Sequence, residues 1–398
     1  MTSAPLLAYV GRYASDAEET DGGIDVVALR PDGALQLQSH AERPGQAGYL
    51  VWAARTSTLY AVDERKTDGR GPVGPRAAIH ALAADPHSGD LEWRGSLPIP
   101  GPFPTYLSYN ERHHLLLCAS HGSFAHVERV TTDGAGAWGV DYLYDDSTVT
   151  TIGVGRDGSL DQVVDVLVLS GSGRDPNRSP QAGGHCQASP HAHCAVVDPS
   201  ERYVLVCDKG TDQILVLALD RPGTLVSSFR LPAETAPRHL AFDPKGALAY
   251  VTCELSSELA TVAFDATTGQ LTLLDRVSTL DRPVDRVNEP AEVRVHPDGR
   301  TIYVNNRGED MLIWFRDDDG VGLCRSGAVA LAPSAHPGVA ARSFAIDPAG
   351  SLLLVADRPA GELRSYAIDA HDGALRQLAT LEVPGAAFVT IVAREDCV

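Results

Sequence analysis

The sequence shows no CxxC cysteine pair, no signal-peptide pattern in its first residues and no apolar run long enough to cross a membrane. Its seven cysteines are scattered and form no CxxC pair, which favours a reduced intracellular protein over a disulfide-stabilised secreted one. The first fifteen residues contain no basic segment followed by an apolar core, so no signal peptide is expected. These absences predict a cytoplasmic protein without a membrane partner.

Positive charge is scarce as well. The formal net charge is −19, which argues against a nucleic acid or an anionic membrane as the partner. A small anionic substrate would need a local cluster of Arg, Lys or His to overcome the overall negative field. P-loop and dinucleotide fingerprints are missing too, and no βαβ pattern accompanies them, so no nucleotide cofactor is expected.

What the sequence does contain is a repeat. The stretch 236–265 has the pattern strand, tight turn, strand, loop and strand, with an Asp-Pro-Lys-Gly turn between its apolar segments. Copies begin near residues 189, 289 and 340, with weaker copies near 47 and 101. Each unit ends in a fourth strand after a DG or TG turn. Four strands in roughly 45–55 residues is the period of a β-propeller blade.

The repeat predicts an all-β protein, a seven-bladed β-propeller that forms one domain over residues 1–398. The N-terminal strand resembles the second half of a copy and GAAFVTIVA near the C-terminus resembles the missing first strand. These terminal strands are therefore expected to pair in one blade; a solenoid is the alternative architecture. The third blade is expected to carry a long insertion at about 131–184, either surface decoration or a lid or subunit contact.

Two positions recur in every unit, and both are expected to face one mouth of the central channel. The first begins the innermost strand and is occupied by Gly48, Thr105, His193, Arg238, Ala291 and Arg342. The second ends the next strand and is occupied by Tyr13, Glu64, His121, Lys209, Glu254, Arg307 and Arg358. Loop ends are polar in any propeller, which is the simpler explanation. The excess of cations in so acidic a chain nevertheless predicts a mostly cationic site for a small anion.

The residue types at these positions suit acid–base chemistry on an anion. Arg presents a fork of donors that matches a carboxylate or a phosphate, and a Glu beside it is a candidate acid or base. The segment 184–193 also contains His185, Cys186, His191 and His193, but their spacing fits no common zinc pattern, so no metal is expected. One of these histidines is expected to face the substrate and another to be hydrogen-bonded structurally. A Ser–His pair within 121–126 lacks a third partner.

The segments PHAH (190–193), PRH (237–239), CELSS (253–257), NNRG (305–308) and FAIDPAG (344–350) resemble the lactonase propeller family. That family contains bacterial 6-phosphogluconolactonases and fungal carboxy-cis,cis-muconate cyclases, and the resemblance covers nearly the whole chain. It implies a seven-bladed fold and lactone chemistry without a metal or organic cofactor. In the cyclase branch a His, two Arg and a Glu line the channel mouth, and they are matched here by His193, Arg238, Arg307 and Glu254.

The resemblance implies a metal-independent lactonase for a small anionic sugar-acid lactone. Arg238 and Arg307 would hold the anionic group, and either His193 or Glu254 would activate a water molecule. The expected substrate-binding residues are His191, His121, Lys209, His239, Arg342, Arg358, Glu64 and Tyr13. Two alternatives stay open: a lactone-forming cyclase with the same residues, and a non-catalytic propeller that serves as a scaffold or ligand-binding module. The exact substrate and the oligomeric state are not predicted.

Overall fold

Strands account for nearly all regular structure in the computed structural model, which describes residues 6–15, 20–66, 76–174, 186–317 and 322–393. Seven antiparallel sheets of four strands form the blades, and one further pair of strands forms a hairpin. This arrangement confirms the predicted seven-bladed all-β propeller. In these ranges no helix has both the length and the apolar character needed to traverse a bilayer.

The strands follow one another blade by blade. Blades 1 and 2 contain β1 (Leu6–Ser15), β2 (Thr20–Leu29), β3 (Leu35–Ala41), β4 (Leu50–Ala53), β5 (Thr58–Asp63), β6 (Ala78–Ala84) and β7 (Leu91–Pro98). Blade 3 and its hairpin contain β8 (Pro104–Asn110), β9 (Leu115–Ser120), β10 (His126–Thr132), β11 (Trp138–Tyr144), β12 (Thr148–Val154) and β13 (Leu160–Val168). Blade 4 contains β14 (Ala192–Val197), β15 (Tyr203–Asp208), β16 (Gln213–Ala218) and β17 (Leu225–Arg230).

The second half of the chain repeats the same order. Blade 5 contains β18 (Pro237–Phe242), β19 (Leu248–Cys253), β20 (Glu258–Asp265) and β21 (Gln270–Ser278). Blade 6 contains β22 (Glu289–Val295), β23 (Thr301–Arg307), β24 (Met311–Arg316) and β25 (Cys324–Ala330). Blade 7 contains β26 (Ser343–Ile346), β27 (Leu352–Asp357), β28 (Glu362–Ile368) and β29 (Leu375–Glu382), and β30 (Ala386–Val392) returns to blade 1. Single 3-10 turns cover Ala54–Thr56, Pro337–Val339 and Arg358–Ala360.

The ring closes where the two ends of the chain meet. Strand β30 is the innermost strand of blade 1 and pairs antiparallel with β1, with residues 7–11 opposite residues 388–392. Arg12 adds a side-chain hydrogen bond from Nε to the carbonyl of Pro384 at 2.9 Å. The predicted pairing of the terminal strands in one blade is therefore confirmed.

An aspartate fixes the turn between the first two strands of several blades. In blade 5 the side chain of Asp243 accepts hydrogen bonds from the backbone amides of Lys245 and Leu248. Gly246 in this turn has φ of 71°, a left-handed conformation that favours glycine. Asp198 and Asp347 bind turn amides in the same way in blades 4 and 7. The Asp-Pro turn signal of the repeat therefore has a direct structural cause.

Tyrosine hydroxyls tie neighbouring blades together. A tyrosine near the middle of one blade donates to a backbone carbonyl in the outer turn of the next blade. The pairs are Tyr9 with Gly89 at 3.1 Å, Tyr60 with Gly158 at 2.9 Å, Tyr203 with Thr267 at 3.2 Å and Tyr303 with Gly373 at 2.7 Å. Around them, buried Leu, Val, Ile and Ala side chains fill the space between the sheets. The blades are therefore held by apolar packing and by a hydrogen bond that recurs between adjacent units.

The predicted insertion of blade 3 is too long at 131–184. Strand β12 pairs with β9 and with β13 in the regular order of a blade, so residues 148–168 belong to the blade. The added element is the hairpin β10–β11, which lies between β9 and β12 and delays the third strand in the sequence. Because of this hairpin, β12 and β13 occur later in the sequence than the repeat predicts, and the sequence pattern therefore assigns them to the insertion. Residues 175–185 of the predicted insertion lie outside the described residues.

Candidate active site

A cavity of about 570 Å³ opens where strand ends from blades 2 to 7 converge. Eight of the twelve predicted site residues line it: Glu64, His121, His193, Lys209, Arg238, Glu254, Arg307 and Arg342. Tyr13 and Arg358 lie instead in an adjoining cleft that shares Glu64 and Arg342 with the cavity. The other two, His191 and His239, are buried and do not line the cavity.

Backbone irregularities aim the residues of the inner strands. Thr105, His193 and Arg238 each fall where the pairing of the inner strand with the second strand shifts register. A β-bulge of this kind redirects a side chain without breaking the sheet. Because the shift recurs at the same place in blades 3, 4 and 5, it brings three different side chains to the same cavity.

A recurrent backbone hydrogen bond holds the residues that end the second strands. Four of them donate their amide to a carbonyl in the segment that precedes or begins the inner strand of their own blade. The pairs are Glu64 with Gln46 at 2.9 Å, His121 with Phe103 at 2.9 Å, Lys209 with His191 at 3.1 Å and Glu254 with Ala236 at 2.8 Å. The repeat therefore fixes the backbone of the site, whatever side chain occupies the position.

Glu254 is the centre of the ionic network. Its Oε1 lies 2.6 Å from Nζ of Lys209, and its Oε2 lies 3.0 Å from Nε of Arg238 and 2.9 Å from Nη2 of Arg307. Its side chain is only 3% exposed. Burial alone would raise the pKa of Glu254, but the three cations outweigh it and hold the pKa well below its ordinary value. Glu254 is therefore an ionised carboxylate with both oxygens engaged.

Sequence reasoning missed a second carboxylate, Glu289. Its Oε2 lies 2.8 Å from Nη2 of Arg307, and the strand register places the two residues opposite each other. Burial and the nearby negative charge of Glu254 raise the pKa of Glu289. The repeat had pointed to Ala291, which is buried and does not line the cavity. The available signal was the position of Glu289 at the first residue of β22, across from an arginine already selected.

Glu64, Tyr13 and Arg342 form a smaller cluster at the edge of the cavity. The hydroxyl of Tyr13 donates to Oε2 of Glu64 at 2.5 Å, and Nη2 of Arg342 lies 3.1 Å from the same oxygen. The guanidinium of Arg358 stacks over the Tyr13 ring, 4.9 Å from its centroid. Gly48 faces this cluster, and a Cβ there would lie 1.9 Å from Oε2 of Glu64. A side chain at that recurrent position would therefore displace the Glu64 carboxylate from this cluster.

The cavity is less cationic than the sequence predicts. Four basic side chains line it, but three carboxylates accompany them, so ionisation of all seven leaves a single net positive charge: Lys209, Arg238, Arg307 and Arg342 against Glu64, Glu254 and Glu289. Arg238 is distinctive within this set. It is 2% exposed, and its Nη1 has no hydrogen-bond partner among the described residues. Burial and the neighbouring Arg307 lower its pKa to about 9, so it remains charged at neutral pH.

The histidines occupy two levels. His193 and His121 line the cavity, and burial lowers the pKa of each well below the ordinary value, so both are neutral near pH 7. His191 stacks beneath His121 with ring centroids 4.4 Å apart, and its Nδ1 lies 2.8 Å from the carbonyl oxygen of that residue. In the described ranges, no three His, Cys, Asp or Glu side chains are grouped so as to hold a metal ion. His185 falls outside those ranges.

Comparison with known proteins points to one family. A family model described as "Lactonase, 7-bladed beta-propeller" matches residues 7–391. A 6-phosphogluconolactonase of Bacillus subtilis is 27% identical over 382 residues, 95% of this chain and 96% of that protein. One of Serratia proteamaculans is 26% identical over 383 residues, 93% and 96% of the two chains. The solved structure of the periplasmic gluconolactonase of Pseudomonas aeruginosa superposes with a TM-score of 0.78 at 25% identity, over 98% of this chain and 99% of its own.

Proposed function

The chain belongs to the lactonase family of seven-bladed β-propellers, and from that premise we propose that it is a metal-independent hydrolase of small anionic sugar-acid lactones. The observation that carries the proposal is the cavity, which is lined by a neutral histidine, a buried arginine and a carboxyl group with a raised pKa; one nitrogen of that arginine has no partner among the described residues. A scaffold has no need for such a set. The relatives described above carry gluconolactonase names, which favours hydrolysis over lactone formation.

His193 is the proposed general base. Its Nδ1 is bound to another histidine beneath the cavity, which leaves Nε2 for a water molecule. Because burial lowers its pKa well below the ordinary value, the ring is neutral and able to accept a proton at physiological pH. Glu254, which sequence reasoning offered as the alternative base, has both oxygens engaged by cations. We assign it the role of holding those cations in place.

The attacking water oxygen bonds to the lactone carbonyl carbon while its proton passes to Nε2 of His193. The tetrahedral oxyanion then lies against Arg238, whose Nη1 is free to donate among the described residues. When the ring C–O bond breaks, the ring oxygen must gain a proton. Glu289, a cavity-lining carboxyl with a raised pKa, supplies it and is then reprotonated from the imidazolium.

The anionic group of the substrate is proposed to bind at Arg342 and Lys209. Arg307, the residue first expected to hold it, already uses all three nitrogens: Nε and Nη1 contact the carbonyls of Glu289 and Pro337, and Nη2 contacts both carboxylates. Arg342 and Lys209 line the cavity, and in the described ranges each has one carboxylate partner. With Glu289 protonated, as the mechanism requires before the ring opens, the four basic side chains face two carboxylates, and this excess of positive charge favours an anionic substrate.

The test measures acid release from 6-phosphogluconolactone and from gluconolactone, corrected for spontaneous hydrolysis. We expect wild-type protein to hydrolyse at least one of them, and His193→Ala to lower kcat by about 10²-fold or more. The matched control is His113→Ala, because His113 is exposed beside the β8–β9 turn. Wild-type rates equal to those of His193→Ala on every lactone tried would favour the scaffold alternative. Full activity after dialysis against EDTA is expected for the metal-independent mechanism.

Cytoplasmic action remains part of the proposal. It is supported by the six described cysteines, all of which are free thiols, since a reducing compartment preserves them. One relative is named as periplasmic, which makes the compartment a matter for experiment. Cell fractionation with antibodies against this chain should recover it with cytoplasmic markers, and recovery with periplasmic markers would overturn this assignment.

A further inference from the structure

A row of three polar side chains runs from the cavity down into the channel. Nδ1 of His193 lies 3.2 Å from Nε2 of His239, and Nδ1 of His239 lies 3.2 Å from Oε1 of Glu292. The three residues are 6%, 4% and 2% exposed. Only His193 reaches the cavity. Buried polar groups are retained where hydrogen bonds compensate their burial, and these three compensate one another.

The direction of each hydrogen bond in this row follows from the charge at its far end. Burial would raise the pKa of Glu292, but Arg294 and His239 outweigh it and lower the pKa to about 2. Glu292 is therefore an acceptor only, and Nδ1 of His239 must carry a proton to donate to it. Burial lowers the pKa of His239 to about 4 against the attraction of Glu292. The neutral ring then has an unprotonated Nε2, which accepts.

The same reasoning determines the state of His193. Because Nε2 of His239 accepts, Nδ1 of His193 must be the donor. The neutral His193 ring carries one proton, so its Nε2 has a free lone pair, and this is the nitrogen left for the cavity. Glu292 is separated from the cavity by His239 and His193. Through His239 it nevertheless determines which ring nitrogen of His193 is basic.

Three separate strands hold the row in place. The backbone amide of His239 donates to Oγ1 of Thr252 at 3.1 Å, and the amide of Glu292 donates to Oδ1 of Asn305 at 2.8 Å. The edge of the Tyr106 ring meets the His239 ring with centroids 5.2 Å apart. His239 and Glu292 are therefore each held from their own blade, and the His239 ring also packs against blade 3.

We propose that Glu292 and His239 are positioning residues that hold His193 as its Nδ1–H tautomer, so that Nε2 takes the proton of the attacking water. This inference rests on the proposed lactone hydrolysis. The O–H bond of water breaks, its oxygen bonds to the carbonyl carbon and its proton bonds to Nε2 of His193. The imidazolium keeps its Nδ1–H···Nε2 hydrogen bond to His239, and Glu292 stabilises the new positive charge without becoming protonated.

The closing experiment records the tautomer directly. Protein labelled with ¹⁵N in histidine gives distinct shifts for protonated and unprotonated ring nitrogens, and the His193 signals are assigned by their loss in His193→Ala. We expect an Nδ1–H tautomer for His193 and for His239 in wild-type protein at pH 7. An Nε2–H tautomer of His193 overturns the proposal. If His193→Ala does not fold, through-bond correlations from the backbone to the ring nitrogens assign the His193 signals in the wild-type protein.

Kinetics separate positioning from folding. Glu292→Gln keeps the shape of the side chain but allows its amide to donate to His239, which reverses the row and protonates the cavity nitrogen of His193. We expect kcat to fall about 10²-fold or more with KM nearly unchanged, whereas Glu292→Asp restores part of kcat. The matched control is Glu111→Gln, since Glu111 forms a surface ion pair. Unchanged kcat in Glu292→Gln refutes the proposal.

The two hypotheses fail in different ways. An Nδ1–H tautomer in a protein without activity on any lactone would refute the proposed hydrolysis and leave the hydrogen-bonded row intact. If activity depends on His193 but His193 is the Nε2–H tautomer, the positioning role of Glu292 and His239 is refuted and the proposed hydrolysis stands. The charged and titratable groups that act on His193 are Arg238, His239, Lys209 and His121, so spectra are compared at one pH where all four keep their state.

Discussion

Replacing Glu254 with glutamine should destabilise the protein more than any substitution of a surface carboxylate. In the described part of the chain, Glu254 is the one carboxylate within ion-pair distance of both Lys209 and Arg238. These cations have side chains that are 8% and 2% exposed. Arg307 keeps a second carboxylate, Glu289. The substitution therefore leaves two buried cations without a counter-charge.

The magnitude follows from that loss. Removing one partner of a buried ion pair costs about 3–5 kcal/mol, a large share of a typical free energy of unfolding of about 5–15 kcal/mol. The control is Glu258→Gln, because the Glu258 side chain is 23% exposed and its partner Arg276 33%. A partly exposed pair of this kind contributes about 0–1 kcal/mol. Urea unfolding followed by far-UV circular dichroism compares the two variants with wild type at pH 7.

Two further measurements identify the cause. Lys209→Met combined with Glu254→Gln should cost less than Glu254→Gln alone, because it removes one stranded cation. At acidic pH the difference in the free energy of unfolding between wild type and Glu254→Gln should become smaller. The pKa of Glu254 is lowered in the folded state, so its contribution is present above the ordinary glutamate value of about 4.3 and is lost as the pH falls toward the lower folded pKa. A Glu254→Gln variant within about 1 kcal/mol of the control at pH 7 would refute the reasoning.

Three shorter predictions concern other parts of the molecule. Gly48→Ala should lower the free energy of unfolding by about 1–3 kcal/mol, because its Cβ would lie 1.9 Å from Oε2 of Glu64. Urea titration measures this change, and an unchanged transition midpoint contradicts the prediction. In the pH–rate profile, kcat/KM should fall on the acid side only below pH 6.5, the ordinary pKa of histidine. The reason is that burial lowers the pKa of His193, so the neutral base stays available in mild acid. A fall in kcat/KM that begins above pH 6.5 excludes His193 as the base. Tyr60→Phe should remove the 2.9 Å hydrogen bond to Gly158 and lower the free energy of unfolding by about 0.5–1.5 kcal/mol. Its thermal midpoint should therefore be lower than that of the control Tyr144→Phe. Equal midpoints would count against a stabilising contact between the blades.

The sequence was sufficient for the blades because each blade repeats the same turn chemistry. The Asp and Gly of the turn after β18 perform the same backbone task in several units, so the period survives the divergence of the side chains. The hairpin β10–β11 breaks that period within blade 3. Strands β12 and β13 follow it and could not be matched to the repeat, although they pair as ordinary blade strands.

The site was predictable in position and only partly in chemistry. Repeat alignment identifies the residues whose backbone lies at the mouth, and eight of the twelve line the cavity. It does not reveal Glu289, which precedes the recurrent position, and it does not reveal that carboxylates offset most of the cations. The inward turn of His239 depends on a register shift between Pro237 and Leu240. Such a shift reverses the alternation of strand side chains, and it becomes visible only in three dimensions.

The pairing of β1 with β30 has a consequence for synthesis of the protein. Residues that contact each other across this seam are far apart in the chain, as Arg12 and Pro384 are by 372 positions. A nascent chain on the ribosome can therefore pair the strands of blades 2 to 7 while the inner edge of blade 1 stays bare. Until β30 leaves the exit tunnel, that bare edge is open to strands of other nascent chains, so the emergence of β30 is also the step that protects the molecule from aggregation.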